Sequence, residues 1–132
     1  MSHRKFYEQL GQLVYAVAAI DGTIQEAEIN RVNTMFREWL MRPQDAENSE
    51  AAAEVLIAKI AFKNMLEKNA KPHEILSSFD NFVKENKGVR ISEETKKRSL
   101  HLLKDTAVAA RGLQPVELDL LKKLAVKITT LK

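Results

Sequence analysis

Eight apolar residues in unbroken succession, Leu13–Ile20, run straight into Asp21-Gly22 and then, across Thr23 and Ile24, into the acid-bearing segment Gln25–Glu28. This stretch constrains the fold more than any other. Phe6, Leu10, Leu13, Val14, Val17 and Ala18 recur at the three-four spacing of one helical face, which predicts a core helix from about Ser2 to Ile20. Gly22 permits the positive φ of a helix exit. The acids beyond it stand where the dipole of a new helix favours negative charge. The small residues of Ala16–Ala19 predict that neighbouring helices surround the end of this helix and approach it closely.

The remaining segments read in the same period. A second helix is expected from Gln25 to Met41, with Ile29, Val32, Met35, Phe36, Trp39 and Leu40 inward and Pro43 barring its continuation. A third, capped by Asn48 or Ser49, is expected to reach about Asn69 and to bury Ala52, Val55, Leu56, Ile60, Met65 and Leu66. Pro72 suits the first residue of a fourth, where its missing amide hydrogen costs nothing. That helix buries Ile75, Phe79, Phe82 and Val83, with Gly88 placed to end it. Ser92, followed by Glu93 and Glu94, starts a fifth helix that reaches Ala110. The last opens at Pro115 and carries Leu118, Leu121, Leu124, Ala125, Ile128 and Leu131 inward.

No window alternates with a period of two, and the Asp-Gly pair is flanked by helical patterns. The expected fold is therefore all-α, a compact bundle of about six helices in one domain over 1–132. Short connections predict that consecutive helices pack as antiparallel neighbours or cross steeply. Ile24-Gln25-Glu26-Ala27-Glu28-Ile29 aligns with Leu113-Gln114-Pro115-Val116-Glu117-Leu118, matching Gln with Gln and Glu with Glu. With one residue deleted, Gly112 falls on Gly22 and Arg111 on Asp21. Two hairpins related by a pseudo-twofold axis account for this better than a solenoid repeat does.

A chain of 132 residues without Cys has no disulfide, thiolate metal site or cysteine nucleophile, and it fits a reducing compartment, so a cytoplasmic location is expected. The N-terminal segment lacks the apolar region of an export signal, and the longest apolar run falls well short of the ~20 residues that span a bilayer. Membrane insertion is not expected. A net charge of +3 is interspersed with acids along most of the chain, the pattern of a solvated surface.

Asp21, Gly22, Ile24 and Glu28 have the spacing of the second half of an EF-hand loop. The first half fails, because Val17 and Ala19 would occupy positions that need side-chain oxygens. The same residues resemble another family. An Ala-rich helix ending in Ala-Ile-Asp-Gly, followed by Thr-Ile-Gln-Glu-Ala-Glu and an apolar helix, is similar to the tellurite-resistance TerB-like domain, whose fold also resembles part of certain membrane-tethered DnaJ-like co-chaperones. The resemblance covers both hairpins and the length of the chain. It implies a helix-Asp-Gly-turn-Glu element used twice, a divalent metal such as Ca²⁺ or Mg²⁺ held by the turn acids, and a role in stress or tellurite resistance. The matching positions are Asp21, Glu28 and Glu117, and Arg111 departs from the pattern by replacing the second turn's Asp.

Those acids also have a structural reading. Gln25-x-x-Glu28 and Gln114-x-x-Glu117 fit a capping box in which Gln replaces Ser or Thr, and a cap needs no metal. Elsewhere His3, His73 and His101 have no ligand-spaced partners. The four glycines stand singly at helix ends rather than in a phosphate-binding loop, and no serine sits in a nucleophile elbow. Lys96, Lys97, Arg98, His101 and Lys104 form one basic helix edge. Phe79, Phe82 and Tyr7 are spaced as core residues rather than as a base-stacking platform, so nucleic-acid binding is not expected.

The chain thus reads as a non-enzymatic helical module for a protein partner. Its alternatives are a metal-dependent, hydrolase-like enzyme using Asp21, Glu28 and Glu117, and a weak nucleic-acid binder. Trp39, Leu40 and Met41 are the candidate apolar contact surface, or else Trp39 closes the core.

Overall fold

The computed structural model describes residues 4–20, 24–40, 49–85, 91–111 and 115–130, without the side chains of 49–51, 110, 111, 116 and 117. Six helices follow in order: α1 (Arg4–Ala19), α2 (Glu26–Leu40), α3 (Ser49–Lys68), α4 (Pro72–Glu85), α5 (Glu93–Arg111) and α6 (Pro115–Thr130). No strand occurs among the described residues. Both Pro-initiated helices begin where the missing amide predicts. The expected exits at Gly22, Gly88 and Gly112 lie outside the described residues, as do Asn48 and Pro43.

Local chemistry sets the observed ends. The hydroxyl of Ser92 accepts the Thr95 amide at 3.1 Å, and the Ser92 carbonyl accepts the Lys96 amide at 3.0 Å, which makes Ser92 the cap of α5. At the end of α3, Asn69 takes φ 51°, a left-handed conformation that asparagine tolerates. That conformation lets the Asn69 amide reach the Leu66 carbonyl and the Ala70 amide reach the Met65 carbonyl, both at 3.1 Å. The paired bonds satisfy carbonyls that the helix itself leaves free.

The predicted face of α1 is buried throughout, and α1 is the axis of the bundle. Its closest pairing is with α3, followed by α4 and α5, whereas α2 lies against α5 and α3. Chain neighbours are therefore often not packing neighbours. Of the consecutive pairs, α2 packs on α3 and α5 on α6, whereas α1 and α2 are not among the principal pairs.

Gly11 explains the α1–α3 pairing and corrects the placement of every glycine at a helix end. It sits in the middle of α1, and a Cβ at this position would run into the Ala58 carbonyl oxygen and lie 2.9 Å from the Ala61 Cβ. Two helix backbones come this close only when the side chain between them is absent. Beside this seam Phe62 meets Tyr15 and Phe36 edge-on, with ring centroids 6.3 and 5.8 Å apart. Such edge-to-face geometry is favoured by the ring quadrupoles.

Two expected faces need correction. In α3 the buried residues are Val55, Ala58, Ala61 and Phe62, while Ala52, Leu56 and Ile60 face solvent. This helix is apolar on nearly every side, so periodicity could not choose which stripe would meet α1. In α6, Leu120 joins Leu124 and Ile128 in the core and Leu118 is exposed. The remaining predicted stripes stand: Val32, Met35 and Phe36 of α2 are buried, as are Ile75, Phe79 and Phe82 of α4.

Candidate functional sites

The start of α2 carries the first candidate. The Gln25 carbonyl accepts the Ile29 amide at 3.0 Å, and the Glu28 carboxylate accepts the Gln25 amide at 3.4 Å. Glu28 thus reaches back over the helix start as the capping-box reading requires, at the long end of hydrogen-bond range. Asp21 lies outside the described residues. Glu117 stands in the first turn of α6, but its side chain is not among those described. Among the described residues, no three His, Asp or Glu side chains gather as metal ligands would.

Near the start of α2 lies a groove of about 490 Å³ between the end of α1, Ile24, and the junction of α3 with α4. Tyr15 lines it and donates its hydroxyl to the Ala70 carbonyl at 2.8 Å, tying α1 to the α3–α4 connection. Burial pushes the Tyr15 phenol above its ordinary value, because the anion would lose water.

The end of α2 shows what Trp39 does. Its indole lies flat against the His101 ring, 4.8 Å between centroids and 9° between planes, and its Nε1 donates to Asp105 at 2.5 Å. Arg98 donates to the Trp39 carbonyl at 3.2 Å, satisfying an acceptor in the last turn of α2, and also to Glu94 at 3.2 Å. Trp39 and Leu40 are half-buried against the core, so Trp39 closes the bundle onto α5; Met41 is outside the described residues.

The same contacts break up the predicted basic edge. Lys96 is only 4% exposed, with its ammonium 3.4 Å from Glu93 and 3.4 Å from the Thr129 carbonyl at the end of α6. Arg98 and His101 are taken up by Trp39. Only Lys97 and Lys104 of that edge are exposed. Phe79, Phe82 and Tyr7 are buried, as their spacing predicts.

The largest departure from the sequence-based site lies on α3. Leu56 is 55% exposed and Ile60 50%, one turn apart. Ile60 borders a groove of about 320 Å³ whose apolar wall is Ile57, Ala61 and Met65 and whose rim includes Arg4, Glu8 and Lys68. The signal was present in the sequence as a helix apolar on two faces. Only one of those faces can meet the core.

No helix among the described residues is long and apolar enough to cross a membrane. No protein-family model matches the chain, and neither a curated protein nor a solved structure is detectably similar to it.

Proposed function

We propose that this protein is a non-enzymatic helical interaction module of the TerB-like type, binding a protein partner in a stress- or tellurite-linked process. The observation that carries the reading is the exposed aliphatic pair Leu56 and Ile60 beside the α1–α3 groove. Solvent-facing leucine and isoleucine next to a concave apolar wall suit burial by another protein. The described carboxylates lend support as well, since none is buried, Glu28 caps α2, and Glu93 and Glu94 pair with Lys96 and Arg98.

The test replaces the pair with charge. Leu56→Lys with Ile60→Lys should leave the helical circular dichroism unchanged and abolish capture of a partner that the parent protein retains. Capture that survives the double substitution would remove α3 as the contact face. Loss of tellurite tolerance on deletion, restored by the parent and not by the double variant, would tie that contact to the resistance process.

A second reading keeps the divalent cation that the resemblance implies at Asp21, Glu28 and Glu117. Bound Ca²⁺ or Mg²⁺ would stabilise the fold by mass action and Asp21→Asn would cancel the gain. The Glu28 contact with the Gln25 amide favours the cap, for which millimolar Ca²⁺ leaves the melting temperature unchanged.

A further inference from the structure

Among the described residues, three of the five exposed large aliphatic side chains are on α5 and α6: Val108 at 50%, Leu118 at 42% and Val126 at 63% exposed. α5 and α6 run antiparallel, because Lys96 near the start of α5 meets the Thr129 carbonyl near the end of α6. Leu100 lies one turn beyond Lys96 on the side that faces α6. Leu121 and Ala125 lie two turns and one turn before Thr129 on the side that faces α5. These three are half-buried, and the register sets them along the furrow that two packed helices leave between them. Its rims follow from the same register, with Lys97, Lys104 and Val108 along α5 and Leu118, Lys122 and Val126 along α6.

Charge identifies the occupant. Lys97, Lys104 and Lys122 are exposed, and none is paired with an acid among the described residues. Among the described side chains the exposed acids of these two helices are Glu93, engaged by Lys96, Glu94, engaged by Arg98, and Asp119. An aliphatic floor between lysine rims matches a helix with aliphatic anchors on one face and carboxylates on its flanks. A lipid surface matches less well, because the exposed large hydrophobics include no aromatic side chain and Asp119 stands between Leu118 and Lys122. A nucleic acid would find no exposed Phe, Tyr or Trp ring on which to stack a base.

We infer that the outer furrow between α5 and α6 docks an acidic amphipathic helix of a partner protein. This rests on the reading of the chain as an interaction module, and it adds a surface separate from the α3 pair.

The probe is a synthetic helical peptide with Leu at every third and fourth position and Glu on its flanks, titrated into the isotope-labelled full chain at physiological salt. Amide shifts should concentrate in 97–108 and 118–126. A peptide of the same composition in scrambled order, and the same pattern with Lys for Glu, should leave those amides unmoved. Lys104→Glu with Lys122→Glu, both at exposed positions, should weaken binding by about tenfold or more through like-charge contact. Shifts elsewhere, equal shifts from the scrambled peptide, or binding untouched by the double substitution would overturn the proposal. So would stronger binding to phosphatidylglycerol vesicles or to a single-stranded oligonucleotide than to the peptide. Failure here with partner capture through Leu56 and Ile60 intact would remove the furrow alone; loss of both would remove the interaction-module reading.

Discussion

The α1–α3 seam and the α5–α6 pair are both helix contacts, but they are held by different forces. At the seam, Gly11 brings one helix against the carbonyl of Ala58, and Phe62 packs between Tyr15 and Phe36. Such contacts depend on shape and on the exclusion of water. α6 is held at its last turn by long basic chains: Lys96 reaches the Thr129 carbonyl and Lys127 pairs with Asp80 of α4. Its core contribution is the narrower stripe Leu120, Leu124 and Ile128. The closest backbone contact thus lies on the central helix α1, while α5 and α6 keep Val108, Leu118 and Val126 open to solvent.

The sharpest way to break this contrast is Phe62→Ala, which removes a fully buried ring from the seam and should cost about 3–5 kcal/mol in urea unfolding. A loss no greater than that of a surface substitution would show the seam to be loosely packed. Next in size is Gly11→Ala. In an open helix it would gain about 0.5–1 kcal/mol, but here the new methyl meets backbone, and the helices must part at a net cost of about 1–3 kcal/mol. Stabilisation by this substitution would contradict the close approach.

Tyr15→Phe sharpens the picture at the seam's edge. Losing the bond to the Ala70 carbonyl should cost about 0.5–1.5 kcal/mol. The phenol's folded pKa lies above its unfolded value of about 10. The stability that depends on the neutral phenol is therefore complete below pH about 10 and is lost as pH rises through the folded value. Unfolding measured from pH 8 to 11 should show a steeper alkaline decline in the parent than in Tyr15→Phe. The smallest effect is expected at the periphery. The Asp80–Lys127 pair is partly solvated, so Lys127→Ala should cost only about 0.2–1 kcal/mol. Hydrogen exchange should then rise in α6 while α1 stays protected. Equal acceleration in both helices would mean that α6 opens only with the whole bundle.

Six helices, their Pro and Ser starts and the inner faces of α1, α2 and α4 were legible in the sequence, because each is written within one or two turns of chain. Glu28's reach to the Gln25 amide belongs to the same class, since the partners are three residues apart. The neighbours of each helix were not legible. Whether Leu56 or Ala58 of α3 would face α1 depended on Gly11, some forty-odd positions away in the chain. Lys96 reads as a solvent charge until the end of α6 supplies a carbonyl for it, and Trp39 reads as a loose apolar end until α5 presents His101 and Asp105. Helix period, caps and breakers act between residues near in sequence, so the chain by itself determined them. Choosing between two equally apolar faces requires the shape of a distant partner, which only the tertiary structure decided.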